Sequence, residues 1–325
     1  MGDRQAAERT AVLSVSGLEH RVSETFRLGP IGFSVPAGQG VAIIGTNGAG
    51  KSTLIRLVAG LLRPARGEVL VCGTDSRRWG KVSRHIGYVQ QAKELPDGVG
   101  VETYLRHQLK LRRAEASRLD ELMALADLDE YRDQYVRTLS GGNQRKLHII
   151  SAVAHRPDLL ILDEPTTGLD PAAQQALIDL LRGLKKEGVV VLFASHQRAE
   201  LDALADSVVV LHQGRQVKDA SLEDITRSGD RSSLVLEAFA EPDLDRLRSW
   251  AARLATTYEP IRSAHDTEGG VQVELAGDDH RGVLGEIVTR AHDQGVVLRS
   301  VSYSRPTLAD IVRSVAGQDE RGKVS

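Results

Sequence analysis

The chain has 325 residues, enough for one large domain or two unequal ones. Hydrophobic residues make up 41% and charged residues 26%, the usage of a soluble globular chain. A formal net charge of -2 lacks the basic footprint of nucleic-acid binding, so no nucleic-acid partner is expected. No apolar run reaches the roughly 20 residues needed to span a bilayer, and the opening MGDRQAAERTAV lacks the apolar core of a signal peptide. Work at a membrane therefore needs spanning helices from another chain.

In chain order, residues 11–18 and 31–35 read as strands, and VAII (41–44) as a short apolar strand. GTNGAGKST follows, then a helix from about Ser52 to Leu61. EVLVCG and IGYVQQ (86–91) read as strands. Cys72, the single cysteine, lies in EVLVCG and is expected to be a buried, inert thiol. Nothing suggests an oxidising compartment. Residues of about 92–138 carry apolar positions at helical spacing and predict a helical insert between two α/β parts. A helix is predicted over about 142–154, stopped by Arg156-Pro157. LLIL (159–162) is a buried strand, and Pro171 opens a helix to about Lys186. VVVLFAS, a short helix and two strands around Gln213-Gly214 follow. Apolar strands alternating with helices predict a mostly parallel sheet covered on both faces.

The pattern restarts around Ser228-Gly229-Asp230. SLVLEAF, PDLDRLRSWAARLA, YEPIRSA, VQVELAG, HRGVLGEIVTRAHDQG and VVLRSVSYS give the order β-α-β-β-α-β of a ferredoxin-like unit. A last helix is predicted from about Thr307 to Val315. The expected division is 1–228 and 229–325.

Gly45 to Ser52 fits G-x-x-x-x-G-K-[ST], after a strand and before a helix. Gly45, Thr46, Asn47, Gly48, Ala49 and Gly50 can wrap phosphates with backbone N–H groups, and the helix N-terminus adds a favourable dipole. Lys51 reaches the β- and γ-phosphates, Ser52 can ligate Mg²⁺, and Thr53 adds another N–H and hydroxyl. Chance gives such a match in a chain this long on the order of once in a hundred.

Asp163 ends the buried strand LLIL, and Glu164 follows. At the carboxyl end of a parallel strand both face the ligand crevice. Asp163 is the candidate for holding Mg²⁺ through water, and Glu164 for the general base that polarises the attacking water. His196 stands just past another buried strand, where an imidazole can read a γ-phosphate. LSGGN, Leu139 to Asn143, is a Ser-Gly-Gly turn ahead of a helix. In a chain that already has a phosphate loop, it supplies a second set of phosphate-facing groups, which points to a site shared between chains.

GTNGAGKST, IGYVQQ, LSGGN, LLILDEP, TTGLDP and ASH, in this order, resemble the ATP-binding subunit of ABC transporters over about residues 11–225. The resemblance implies an α/β P-loop NTPase sheet with an inserted helical subdomain, and ATP and Mg²⁺ as cofactors. It implies a head-to-tail dimer in which Ser140, Gly141 and Gly142 face the opposite γ-phosphate and Asp170 crosses the interface. Each chain carries both half-sites, so a homodimer is expected. The resemblance also implies a glutamine that touches Mg²⁺ and the lytic water; aligned spacing favours Gln91 over Gln90. LSGGN departs from the commoner LSGGQ. The adenine-stacking aromatic is open: Phe26 is a candidate or a core residue. The tail VVLRSVSYSRPTLADIVRSVAG resembles bacterial drug, polysaccharide and lipid exporter ATPases. This implies an ATPase held at the cytoplasmic face of the plasma membrane by a separate permease. The alternatives are an importer ATPase with a regulatory ligand-binding tail, and a soluble member of the family acting on ribosomes or DNA; a single set of motifs and no heptads speak against the latter.

Overall fold

The computed structural model describes residues 11–90, 95–195, 197–222, 233–239, 241–258, 261–267, 269–275 and 282–304. Those up to Leu222 form one compact unit and those from Ser233 onward a second. The boundary predicted at 228/229 and the helix predicted over 307–315 lie outside the described residues.

Two sheets build the first unit. The strands β1 (Ala11–Arg21), β2 (Arg27–Pro36), β4 (Arg66–Val71) and β5 (Thr74–Asp75) form an antiparallel sheet in the order β2-β1-β4-β5. The strands β3 (Gly40–Gly45), β6 (Ile86–Val89), β7 (Leu159–Asp163), β8 (Val190–Ala194), β9 (Ser207–His212) and β10 (Arg215–Ser221) form a second sheet, ordered β10-β9-β3-β8-β7-β6. Five of these run parallel and β10 is an antiparallel edge. A single mostly parallel sheet was the expectation for the strands before residue 90. The short loop joining β1 to β2 lets them pair as a hairpin, and β4 joins that hairpin rather than the parallel sheet.

Every residue of β7 and of β8 is buried, as strands covered on both faces require. Helix α1 (Lys51–Val58) buries Leu54, Ile55, Leu57 and Val58 in one cluster with Leu13 and Val35 of the antiparallel sheet and Ile43 and Ile161 of the parallel one. That cluster pins the loop preceding α1 from behind. It also exceeds by far the burial any one helix could supply alone, since each such side chain contributes about 1.5–3 kcal/mol.

Between β5 and β6 lie one helical turn, α2 (Trp79–Val82), and a 3₁₀ turn at Ser83–His85. The insert after β6 contains α3 (Val101–Leu111) and α4 (Arg118–Leu125), where helices were expected, plus short 3₁₀ turns at Asp129–Tyr131 and Val136–Thr138. Leu105, Leu109, Leu119, Leu122 and Met123 form its apolar face. Helix α5 (Gly141–Ala152) follows. Arg118 donates to the carbonyls of Val153 and Ala154 just past the end of α5, so the insert is tied to the turn that follows this helix. Arg156, at φ 53, turns the chain toward β7. Helices α6 (Pro171–Lys186) and α7 (Arg198–Leu204) complete the unit.

The second unit runs β11 (Ser233–Ala238), α8 (Glu241–Thr257), β12 (Ile261–Asp266), β13 (Gly270–Leu275), α9 (Val283–Asp293) and β14 (Leu298–Ser304). Its sheet is antiparallel, ordered β12-β13-β11-β14. This is the ferredoxin-like arrangement read from the sequence. Leu234, Leu236, Leu247, Trp250, Val273 and Ile287 form a core made of apolar side chains.

Candidate active site

β3 delivers the chain into a loop whose backbone only glycine suits at two points. Gly48 has φ 80 and Gly50 φ 104. A Cβ on Gly50 would stand 2.5 Å from Leu28 Cδ1, whereas one on Gly48 would meet nothing within 4 Å. Gly50 is therefore fixed by packing, and Gly48 faces open space that a ligand can fill. Lys51 Nζ donates to the carbonyls of Gly45 at 2.9 Å and Thr46 at 3.3 Å, which folds the ammonium over its own loop. Burial pushes Lys51 below its usual value, opposed by the charges of Glu164 and Asp163.

Ser52 Oγ donates to Asp163 Oδ1 at 3.4 Å, linking the start of α1 to the end of β7. Asp163 is 4% exposed. Burial raises its pKa; the Ser52 hydrogen bond opposes this, the Glu164 charge adds to it, and Arg56 and Lys51 oppose it. Glu164 sits at φ 47, a left-handed backbone that costs a glutamate on the order of 1 kcal/mol or more. Its N–H donates to Ala194 of β8 at 3.0 Å, and Thr167 Oγ1 donates to its Oε2 at 3.1 Å.

Ser140 is the N-cap of α5: its Oγ accepts from Asn143 N at 3.3 Å. Gln144 donates to the carbonyl of Leu139 at 3.0 Å. Ser140 and Gly141 are exposed, and Gly142 is buried. A Cβ on Gly142 would stand 2.8 Å from Ala173 Cβ, so this glycine lets α5 lie against α6. Asp170 caps α6, its Oδ1 accepting from Ala172 N and Ala173 N at 3.0 Å each. Asn47, Ala49 and Thr53 belong to the loop and α1 around Lys51. Phe26 is half-buried, its ring edge lying 3.6 Å from where a Gly50 Cβ would stand and 3.2 Å from one on Gly214. It flanks the phosphate loop rather than sitting in the core. Gln91 and His196 lie outside the described residues.

The model of ABC transporters matches residues 28–167, which hold the loop, the Ser-Gly-Gly turn and the two acids. The daunorubicin resistance ATP-binding protein DrrA3 of Streptomyces coeruleorubidus is 32% identical over 319 residues, 96% of this chain and 98% of its own. The chain belongs to the ABC transporter ATP-binding family. The cobalt import ATP-binding protein CbiO of Rhodobacter capsulatus is 34% identical, across 77% of this chain and 91% of its own. A solved structure of an ATP-binding subunit of an ABC transporter superposes with a TM-score of 0.60 at 31% identity, covering 66% of this chain and 92% of that one. The protein is an ATP-binding cassette, and cassettes of this family are ATPases that drive transport.

Besides Arg118, two buried charged residues in this ABC cassette escaped the sequence reading. Arg145, on α5, donates to the carbonyls of Gln90 (2.9 Å), Glu164 (2.9 Å), Pro165 (2.8 Å) and Asp163 (3.3 Å). One guanidinium thus ties the helix of the Ser-Gly-Gly turn to the end of β6 and to both acids. Burial lowers its pKa, opposed by the carboxylates of Glu200 and Asp163. Glu200, 1% exposed on α7, accepts from the N–H and the hydroxyl of Thr166. Its other oxygen is buried with no hydrogen-bond partner among the described residues. The signal for both was a charge on a buried stripe: Arg145 lines up with Gly142 and Ile149, and Glu200 with Leu204.

Cys72 departs from expectation. It is exposed, because β4 ends at Val71 and the chain turns at Cys72-Gly73 with φ of 47 and 72. Partial desolvation by its neighbours, then the Asp158 carboxylate, push its thiol up to about 11, so it is a weak nucleophile at neutral pH as expected.

The site suits ATP with Mg²⁺. Gly48 leaves room at the loop, Lys51 is a buried cation, and Asp163 is a buried carboxylate whose charge a cation relieves.

Proposed function

We propose that this cassette hydrolyses ATP to energise export of a substrate through a separate membrane-spanning permease, from the cytoplasmic face of the plasma membrane. The observation that carries the hydrolytic roles is Glu164, held in a strained backbone beside buried Asp163, with its charge acting on Lys51. Gly45 to Thr53 cradle the phosphates, and Lys51 compensates their charge. Ser52, Asp163 and Gln91 would hold Mg²⁺, which when bound would neutralise charge developing on the phosphates. Glu164 takes the proton of the attacking water, oriented with Gln91, and His196 contacts the γ-phosphate. Phe26 offers its half-exposed ring to adenine.

Two copies pair head to tail. Ser140 and Gly141 are exposed for the partner's ATP, and Gly142 contributes its backbone N–H at the start of α5. Asp170 meets the opposite site from the start of α6. No helix among the described residues is long and apolar enough to cross a membrane, which supports a permease in another chain.

Export is supported by coverage: the drug-resistance relative matches almost the whole chain, tail included. The cobalt-import relative favours the importer reading but matches less of it. The test uses the full chain, tagged, with the Glu164→Gln change and ATP to hold the closed dimer. An integral membrane protein is expected to co-purify from the host; its absence would overturn the transport reading. Inside-out vesicles carrying the complex with wild-type Glu164 then report direction. ATP-dependent accumulation of daunorubicin supports export, and ATP-dependent release of Co²⁺ supports import.

A further inference from the structure

Away from the ATP site, at the opposite end of the parallel strands, three metal-ligating side chains converge. His85 immediately precedes β6, and Asp158 immediately precedes β7. These strands are neighbours in register, Ile86 opposite Leu159, so the two residues stand side by side by construction of the sheet. The backbone of Asp158 is fixed further by Val190 N, which donates to its carbonyl at 2.9 Å. Cys72 arrives from the other sheet, in the turn between β4 and β5, anchored by its N–H to the Val12 carbonyl at 2.8 Å. One ligand atom from each of the three residues lies within 4.8 Å of the others.

The hydrogen bonds describe this cluster with protons in place of a metal. His85 Nδ1 is 2.6 Å from Asp158 Oδ2. Arg84 Nε donates to His85 Nε2 at 2.9 Å, which leaves the imidazole proton on Nδ1, aimed at the carboxylate. The Cys72 sulfur also lies within 4.8 Å of an Asp158 carboxylate oxygen. One carboxylate thus faces an imidazole and a thiol, the ligand pair that a divalent ion takes up on binding with loss of the thiol proton.

We propose that Cys72, His85 and Asp158 form a surface site for a divalent transition-metal ion of the zinc class, with solvent as the fourth ligand. Bond lengths of about 2.3 Å to sulfur and 2.0–2.2 Å to nitrogen and oxygen place tetrahedral ligand atoms about 3.3–3.6 Å apart. The His85–Asp158 contact opens slightly to reach this, and both side chains are on the surface side of fixed strand starts. A thiolate with an imidazole selects zinc, cobalt or copper over Mg²⁺ and Ca²⁺. The thiol proton is released on binding, so affinity rises with pH. Metal on Nδ1 moves the imidazole proton to Nε2, and exposed Arg84 swings to solvent. The bound ion ties the Cys72 turn of one sheet to the strand starts of the other, so it stabilises the first unit without entering the ATP site.

The test is a Co²⁺ titration of the full chain without nucleotide, following the thiolate-to-cobalt charge-transfer absorption. One ion per chain is expected, displaced by Zn²⁺ and not by Mg²⁺. Cys72→Ser should abolish the absorption, and His85→Gln and Asp158→Asn should each weaken binding at least tenfold. Zn²⁺ should raise the thermal midpoint of the wild type and leave that of Cys72→Ser unmoved. Circular dichroism confirms that each variant is folded. Absence of the absorption in the wild type overturns the proposal. So does an affinity unchanged in both His85→Gln and Asp158→Asn, which would mean a cysteine acting alone beside an ordinary ion pair.

Discussion

The two units of this chain treat burial in opposite ways. Among the described residues, the buried polar and charged side chains, including Lys51, Arg145, Asp163 and Glu200, all lie in the first unit. The second closes its sheet over Leu234, Leu247, Trp250 and Ile287. Burying charge is costly unless it is paired. The first unit meets that cost around one strand end, where Arg145 satisfies four carbonyls and Lys51 two. Chemistry concentrates where the fold tolerates such expense; the second unit has the composition of a packing scaffold. Substitutions in the two units should therefore separate into losses of turnover and losses of stability.

The largest effect belongs to Glu164→Gln. The amide keeps the size and the strained turn but cannot accept the water's proton. Turnover should fall roughly 10²–10⁴-fold, while ATP binding, measured by equilibrium titration, stays near wild type. Near-normal turnover would remove Glu164 from its role. Next is Leu247→Ala in the second unit. Leu247 is fully buried between α8 and the sheet, so the change should cost about 2–5 kcal/mol of that unit's stability. ATP hydrolysis by the remaining folded protein should be unaltered. A loss of turnover with the unit still folded would show that the contrast between the units is too sharp.

Arg145→Lys comes third. Lysine keeps the charge but cannot span four carbonyls with one planar fork. Leaving two or more of them unpaired should destabilise the first unit by about 1–3 kcal/mol. The turnover number should drop more than the apparent ATP affinity, because the carbonyls released belong to the segment holding Asp163 and Glu164. Equal losses in both would reduce Arg145 to a purely structural role.

The same contrast explains what could be read in advance. The phosphate loop was legible because its backbone admits only glycine at Gly48 and Gly50, so the motif is written in residue types. The acids were legible because an apolar run ending in Asp163 places them at a strand end. The second unit was legible from alternation alone, since its core contains no exceptions to the apolar pattern. Arg145 and Glu200 were missed because periodicity assigns charged residues to the surface, and only the carbonyls of distant segments reverse that assignment. Cys72 was misplaced because an apolar run does not say where its strand ends; β4 stops at Val71 and the next residue turns outward. The IGYVQQ strand likewise ends at Val89, two residues early, where Gln90 instead offers its carbonyl to Arg145. The separate antiparallel sheet was invisible because pairing partners are set by loop geometry, not by strand composition.

The smallest predicted effect has the opposite sign and tests the contrast within the first unit itself. Asp163 has a folded-state pKa raised above its unfolded value, chiefly by burial. A carboxyl of this kind supports the fold fully when protonated, below the ordinary carboxylate range. That support is lost as pH rises through the folded value, because the buried group must then ionise. At neutral pH, without nucleotide, Asp163 therefore weakens the protein that contains it. Asp163→Asn keeps the shape and removes the charge, so its thermal midpoint without nucleotide should exceed that of the wild type at neutral pH. The difference should shrink on acidification. Adding ATP and Mg²⁺ should reverse the order, since the wild type gains stability in proportion to ligand affinity and the variant loses a ligand to the metal. If Asp163→Asn is the less stable protein at every pH without nucleotide, the carboxylate is already compensated by Ser52, Arg56 and Lys51. The strand end would then be a settled ion network instead of a charge held ready for a cation.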